Sequence, residues 1–408
     1  MKRLLLALVV FSALPACAES PWKLMGTAQL FLGQYYYQRS AGSLNGYADA
    51  NFQLARSFST DSGIYFSEHA TYSGFKQVNE LAGGGTLFQQ SLDNSLGVKW
   101  VKRFENGYSL KPRLGLRSEL FRETTDESWG KGLYDSWRYE AGLTWERRTR
   151  LGLSIPWTYQ LSYDLYYTHY PRFRSLASQF GSALSAPDPG QYVLDAVTHQ
   201  LTYRSDFDFP NFMSAYGLYS LALSDYGDQK VVGSQGQYLN STRSDAFHTV
   251  AVGGSKRLTD LESLGRIRPV VGTGLSFSSL MSNQNNFDTD TSRLKFISGY
   301  YNYNEVHLSP SLSATFLAHM LNLRAGYDFG YRMYSGRLAQ TVDGNYTTSR
   351  LRQWSHTVSF DAGYPLVAGL DLKARVLWSS SNANTAYEQV YKYRYESFNY
   401  FGGVEWRL

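Results

Sequence analysis

The sequence predicts an all-β chain, folded as an antiparallel up-and-down transmembrane β-barrel of about sixteen strands. Three observations carry this. Apolar–polar alternation runs unusually far, connections alternate short and long, and Trp collects near strand ends. A lipid-spanning strand needs about 9–11 residues with every second side chain apolar. From Leu321 to Met333 one face carries Leu321, Leu323, Ala325, Tyr327, Phe329, Tyr331 and Met333, and the other Asn322, Arg324, Gly326, Asp328, Gly330 and Arg332. Strands of soluble sandwiches alternate over only about 5–6 residues.

Composition agrees. Of 408 residues, 43% are apolar and 18% charged, with 33 Tyr, 23 Phe and 9 Trp. So many aromatics and so few charges exclude a disordered chain. The single cysteine, Cys17, excludes a disulfide scaffold and a cysteine zinc site. The net charge of +5, two units lower without Lys2 and Arg3, is too small and too evenly spread for nucleic-acid binding.

Residues 1–18 read as a secretory signal. Lys2 and Arg3 form its positive end, Leu4 to Leu14 its apolar stretch, and Ala16-Cys17-Ala18 a small-residue cleavage site. Cleavage leaves a cysteine-free mature chain, 19–408, for the barrel. A second reading makes Leu14-Pro15-Ala16-Cys17 a lipoprotein box with Cys17 lipidated, which Pro15 fits poorly. No later stretch reaches the roughly 18 apolar residues of a membrane helix.

In chain order the alternation predicts strands over 25–39, 46–59, 63–76, 88–104, 108–122, 133–149, 156–170, 192–207, 212–225, 244–258, 267–281, 305–317, 321–335, 352–366, 370–380 and 397–408. The first, third, eighth and tenth mix polar and apolar residues on both faces. Pro112 and Pro310 fall inside strands, so each is expected to mark a bulge or a lost ladder bond. Connections such as Asp61-Ser-Gly63, Glu105-Asn-Gly107 and Val367-Ala-Gly369 are short, whereas 77–87, 171–191, 226–243, 282–304, 336–351 and 381–396 are long. This is the pattern of tight periplasmic turns and long external loops. On the apolar phase, Trp100, Trp145, Trp157 and Trp406 then lie near periplasmic ends, and Trp137, Trp354 and Trp378 near external ends. Two girdles are expected, because indole prefers the headgroup boundary.

The last strand ends Gly403-Val-Glu-Trp-Arg-Leu408, with Phe398, Tyr400, Val404, Trp406 and Leu408 in one phase. This is similar to the terminal signal read by the barrel-assembly machinery, with Leu408 where Phe is usual. Over 19–408 the chain resembles Gram-negative outer-membrane β-barrels, most of all the sixteen-stranded porins. The resemblance implies a bacterial outer-membrane location, contact with lipid and lipopolysaccharide, assembly through the C-terminal strand, and possible homo-oligomers. No plug, passenger or separate periplasmic domain is expected, and no cofactor, metal or nucleic acid.

Few motifs suggest catalysis. Seven His are scattered without metal-ligand spacing. Ser67-Glu68-His69, and Asp245 with His248, are fragments of a hydrolase site without a complete nucleophile–base–orienter set. Leu81-Ala-Gly-Gly-Gly-Thr86 lacks the Lys of a phosphate loop, and the glycosylation matches at Asn240 and Asn345 mean little in a bacterium. The inner face is more informative. The phasing sends Lys99, Arg103, Lys111, Arg113, Arg117, Arg138, Arg268, Arg324, Arg332, Lys373 and Arg375 inward, with Asp93, Glu119, Glu140, Asp164, Asp328, Asp361 and Asp371. Charges cannot face lipid cheaply, so these line water or pair with one another.

A barrel of this width is too wide for side chains to fill, and porins of this size leave a channel. The expectation is therefore a passive diffusion channel for small hydrophilic solutes, weakly anion-preferring and not an enzyme. Its pore would be lined by Lys111, Arg113, Arg117, Arg138, Arg324, Asp328, Arg332, Lys373 and Arg375. The alternatives are the barrel of a polysaccharide or other export system with a periplasmic partner, and an outer-membrane hydrolase. Loop 171–191, uncharged from Ser175 to Ser185, is the candidate constriction, folding inward or capping the barrel. The tyrosines at 300, 301 and 303, and at 387, 391, 393 and 395, read as external strand extensions that hold the rim, and those beside Lys392 and Arg394 have stacking of sugars as an alternative.

Overall fold

The computed structural model describes residues 21–37, 43–78, 87–122, 127–152, 155–173, 192–262, 266–288, 295–388 and 393–408. The leader, the Leu81–Thr86 loop, Tyr391, Lys392 and most of 171–191 lie outside these residues. The strands are β1 (Trp22–Tyr37), β2 (Ser43–Ser57), β3 (Ser62–Val78), β4 (Leu87–Arg103), β5 (Tyr108–Arg122), β6 (Ser136–Leu151), β7 (Ile155–His169), β8 (Ala196–Phe209), β9 (Met213–Val232), β10 (Tyr238–Arg257) and β11 (Ile267–Ser282). After the small loop strands β12 (Asn286–Asp288) and β13 (Lys295–Ile297) come β14 (Tyr303–Leu308), β15 (Ser311–Phe316), β16 (Leu321–Gln340), β17 (Tyr346–Val367), β18 (Leu370–Ala383) and β19 (Tyr395–Arg407).

Each long strand pairs antiparallel with its neighbours in sequence, and β1 pairs with β19 from Thr27↔Arg407 to Tyr37↔Ser397, which closes the ring. The segments β14 and β15 are one wall strand interrupted at Ser309-Pro310, since both pair with β11 and β16 in a single register. The wall therefore has sixteen strands. Pro310 marks a lost ladder bond and no bulge: its carbonyl still accepts from the Tyr327 amide. Pro112 behaves alike, with the β4–β5 pairing skipped between Lys99↔Arg113 and Lys102↔Leu110 and the register unchanged on both sides.

Two connections that read as long loops are mostly strand. β9 and β10 extend to a turn at 233–237, and β16 and β17 to a turn at 341–345, where Gly236 and Gly344 take φ of +81° and +84°. Register shifts near Thr242 and between Met333 and Leu338 let these four strands bend beyond the others. At the opposite end, Asn211 and Phe212 both have positive φ, the conformation of a tight hairpin turn, and Arg257 lies over the Phe212 ring. In the β2–β3 turn, hydrogen bonds from Lys102 and Ser59 hold the Asp61 carboxyl down to about 2.

The outward phase is apolar and exposed. Leu114 is 65% exposed, Val252 50%, Phe277 44% and Phe360 44%. The mixed faces of the weakly patterned strands have a structural reason: Phe31, Tyr35 and Tyr37 of β1 and Phe247 of β10 point inward, where a wide lumen has room for rings. Glu68 of β3 points outward between Phe52 and Leu96. Gly33 and Gly403 lie at the seam, where a Cβ on either would run into the backbone of the facing strand.

Candidate functional site: the inner face of the barrel

The register places every charged residue expected on the inward phase of a strand on that phase. β5 contributes Lys111, Arg113 and Arg117; opposite them on β6 stand Thr144, Gly142 and Arg138, and on β7 Ser162, Asp164 and Thr168. Curvature brings these groups together. Arg113 is a hub, with Nε 3.3 Å from Glu140, Nη1 2.7 Å from Thr144 and Nη2 on Asp164, two strands away. Lys111 pairs with buried Glu146 at 2.5 Å, and Arg117 clasps Asp93 on β4 with Nε at 2.9 and 3.1 Å.

A second group spans β14 to β19. Arg332 pairs with Glu305 at 3.1 Å, and Asp328 meets His307 Nδ1 at 3.1 Å and the Ser309 hydroxyl. Arg375 pairs with Asp361 at 2.6 Å, and Lys373 with Glu405 at 3.2 Å and Asp371 at 3.6 Å. Glu146, Glu305 and Glu405 were not among the expected inward acids. They neutralise Lys111, Arg332 and Lys373, so a count of inward bases overstates the field.

What matters is which cations lack a carboxylate partner. Lys99 rests over Tyr65 at 5.4 Å and Arg138 over Tyr166 at 3.8 Å. Arg324, exposed on β16, lies opposite Asp361, whose carboxylate is taken by Arg375. Arg103 has no ion pair among the described residues, and Arg268 approaches Asp260 only to 3.9 Å. The wall from β8 to β11 differs: over its middle, Thr198, Gln200, Thr202, Ser220, Thr249, Ser276 and Ser278 supply hydroxyls and an amide in place of charge. No ion pair among the described residues joins opposite walls.

At the long-loop end, the described parts of 283–302 pack on inward side chains. Tyr301 lies over Arg243 at 4.4 Å and Tyr300 over Arg337 at 3.9 Å, and Gln284 and Asn285 bond the backbone of β9 at Lys230 and Val232. Thus Tyr300 and Tyr301 anchor the loop instead of extending the rim. Tyr334, Leu351, Ala383 and Tyr393 form a small buried cluster beside it.

The hydrolase fragments separate. Glu68 faces outward, while His69 faces inward to bond Asp49 at 2.7 Å, and the Ser67 hydroxyl meets the Gly97 carbonyl. Asp245 faces inward, buried with Arg243, whereas His248 faces outward to the Tyr219 hydroxyl at 3.0 Å. Similar outward Tyr–His bonds join Tyr163 to His199 and Tyr327 to His356, each at 2.7 Å.

All seven predicted girdle tryptophans take the outward phase. Trp100, Trp145, Trp157 and Trp406 lie toward the tight-turn end, and Trp137 lies at the long-loop end; Trp354 lies deeper because β17 extends further, and Trp378, opposite Val358 and Phe398, falls near the middle of β18 and not near an external end. Trp22, on the outward phase of β1 against Phe66, joins the tight-turn row.

No family model matches the chain, and no curated protein matches it. Solved structures with a similar outline include OmpT of Vibrio cholerae, expressed in the outer membrane (12% identity, 96% of this chain and 99% of that chain, TM-score 0.45). Others are OccAB4 of Acinetobacter baumannii (9%, 95% and 98%, 0.46) and OpdK of Pseudomonas aeruginosa, solved with vanillate (10%, 95% and 98%, 0.45).

Proposed function

We propose that the protein is an outer-membrane channel through which small hydrophilic solutes diffuse passively, with a weak preference for anions. The observation that carries this is a closed sixteen-strand wall, apolar outside and charged inside, whose ion pairs lie along the wall and leave Lys99, Arg138 and Arg324 without carboxylates. Selection follows from pore width and field, without catalysis. The outer face contacts lipid and lipopolysaccharide, and the assembly machinery recognises β19. The tight turns face the periplasm and the long loops the exterior.

The test is liposome swelling. Vesicles holding the protein should swell in arabinose and glucose at rates falling with solute size, and hardly at all in a large oligosaccharide. Swelling equal to that of protein-free vesicles would contradict an open lumen. One observation favours a second reading, an export conduit that opens with a periplasmic partner: Tyr300 and Tyr301, at the end of the 283–302 segment, are seated on inward Arg337 and Arg243. Under that reading, swelling would appear only once the segment is deleted.

A further inference from the structure

Resting on the reading of the lumen as open to solute, we infer that the recess between β3 and β6 is a binding site for a small organic dianion, held at one end by Lys99 and at the other by Arg138. The recess has a volume of about 390 Å³, in the range of small-ligand sites. Its floor is Ser67, Ser95, Gly97 and Gly115, so the backbone between the cations is left uncovered.

The register puts like charges directly opposite one another twice: Lys99 faces Arg113, and Arg117 faces Arg138. Such pairs destabilise a sheet unless something neutralises them. Within each pair one member is neutralised, Arg113 by Glu140 and Asp164 and Arg117 by Asp93. The other member makes no ion pair among the described residues. Lys99 and Arg138 are each seated on a tyrosine ring, Tyr65 and Tyr166. A ring fixes the position of a cation without cancelling its charge. Arg138 also has a buried Nε with no hydrogen-bond partner. Two cations in one recess, each seated on a ring and without an ion pair, suit a ligand with an anionic group at each end. Glu140, the one carboxylate lining the recess, repels a ligand charge placed between them and so favours charges held apart. Carboxylate and phosphate share the required chemistry.

Isothermal titration of the folded, detergent-solubilised protein tests this, with succinate as the dicarboxylate, glycerol 3-phosphate as the phosphate and acetate as the monoanion. Succinate is expected to bind saturably and about tenfold more tightly than acetate, since each charged contact contributes roughly that factor. Glycerol 3-phosphate binding in place of succinate would overturn the two-ended arrangement, since both of its charges sit on one group. Lys99→Ala with Arg138→Gln should abolish saturation, and Glu140→Gln should tighten binding severalfold. Heat-modifiable migration confirms that each variant is folded. Binding of both dianions no tighter than acetate, or unchanged in the double variant, would overturn the site. A protein that conducts anions without saturable binding loses this site and keeps the channel; one that binds without conducting keeps the site and loses the channel.

Discussion

Phe329→Arg and Phe360→Arg should each lower folding stability in lipid by about 2–4 kcal/mol, the cost of an arginine facing the bilayer midplane. Both rings take the outward phase on adjacent strands, where Phe329 lies opposite His356 and Phe360 opposite Ala325. Neither site offers an inward escape, because alternation aims the new guanidinium at lipid. Together the two changes should leave little folded barrel on a heat-modifiability gel. Arg324→Leu is the control. Arg324 is only five residues from Phe329, faces inward, and has no carboxylate partner, so its loss strands no charge. Urea titration in lipid vesicles should separate Arg324→Leu from the two Phe variants by several-fold in folded fraction. Equal losses would mean that β16 and β17 are turned the other way.

Arg113→Ala should be the most disruptive change on the inner face. It removes the cation shared by Glu140 and Asp164, and Asp164 has a side chain only 9% exposed. A carboxylate left unpartnered in such a place is costly; with the Arg113 side chain itself 30% exposed, the loss should be about 2 kcal/mol, below that of a fully buried pair. Two uncancelled carboxylates would then stand on the inner face, Glu140 lining the recess itself, so the variant should lose any anion preference. Adding Asp164→Asn removes the stranded charge and should recover much of the stability. If Arg113→Ala proved as stable as the parent, the hub would be no more than a surface contact.

How far the sequence could be read depended on which interactions repeat with a period of two. Strands such as Leu321–Met333 and Trp137–Trp145 alternate cleanly because their outward residues meet lipid and their inward residues meet water or charge, so phase follows from hydrophobicity alone. The phasing of Arg113, Arg117, Arg138 and Arg324 was legible for that reason. Pairing was not. That Lys111 takes Glu146, and Arg332 takes Glu305, depends on register between strands, which no single strand encodes. The extensions of β9, β10, β16 and β17 were hidden because their outer ends, such as Ser335-Gly-Arg337 and Ser349-Arg-Leu-Arg352, bend out of strict alternation at register shifts. The role of Tyr300 and Tyr301 was equally hidden, since it needs Arg243 and Arg337, which stand on other strands.

The central claim is a conducting lumen whose field is set by Lys99, Arg138 and Arg324. The most direct measurement is the zero-current potential of single channels in a planar bilayer under a tenfold KCl gradient. A steady ohmic conductance is expected, with the potential displaced toward that of chloride. Because a lumen charge acts over only about 10 Å at 0.1 M salt, the displacement should shrink as both salt concentrations are raised. Arginine stays protonated at any usable pH, so it should persist through alkaline conditions. Replacing Lys99, Arg138 and Arg324 together by Gln should bring the potential to zero or past it while conductance remains. A folded barrel that carries no current, or one that prefers potassium with all three cations in place, would contradict the account.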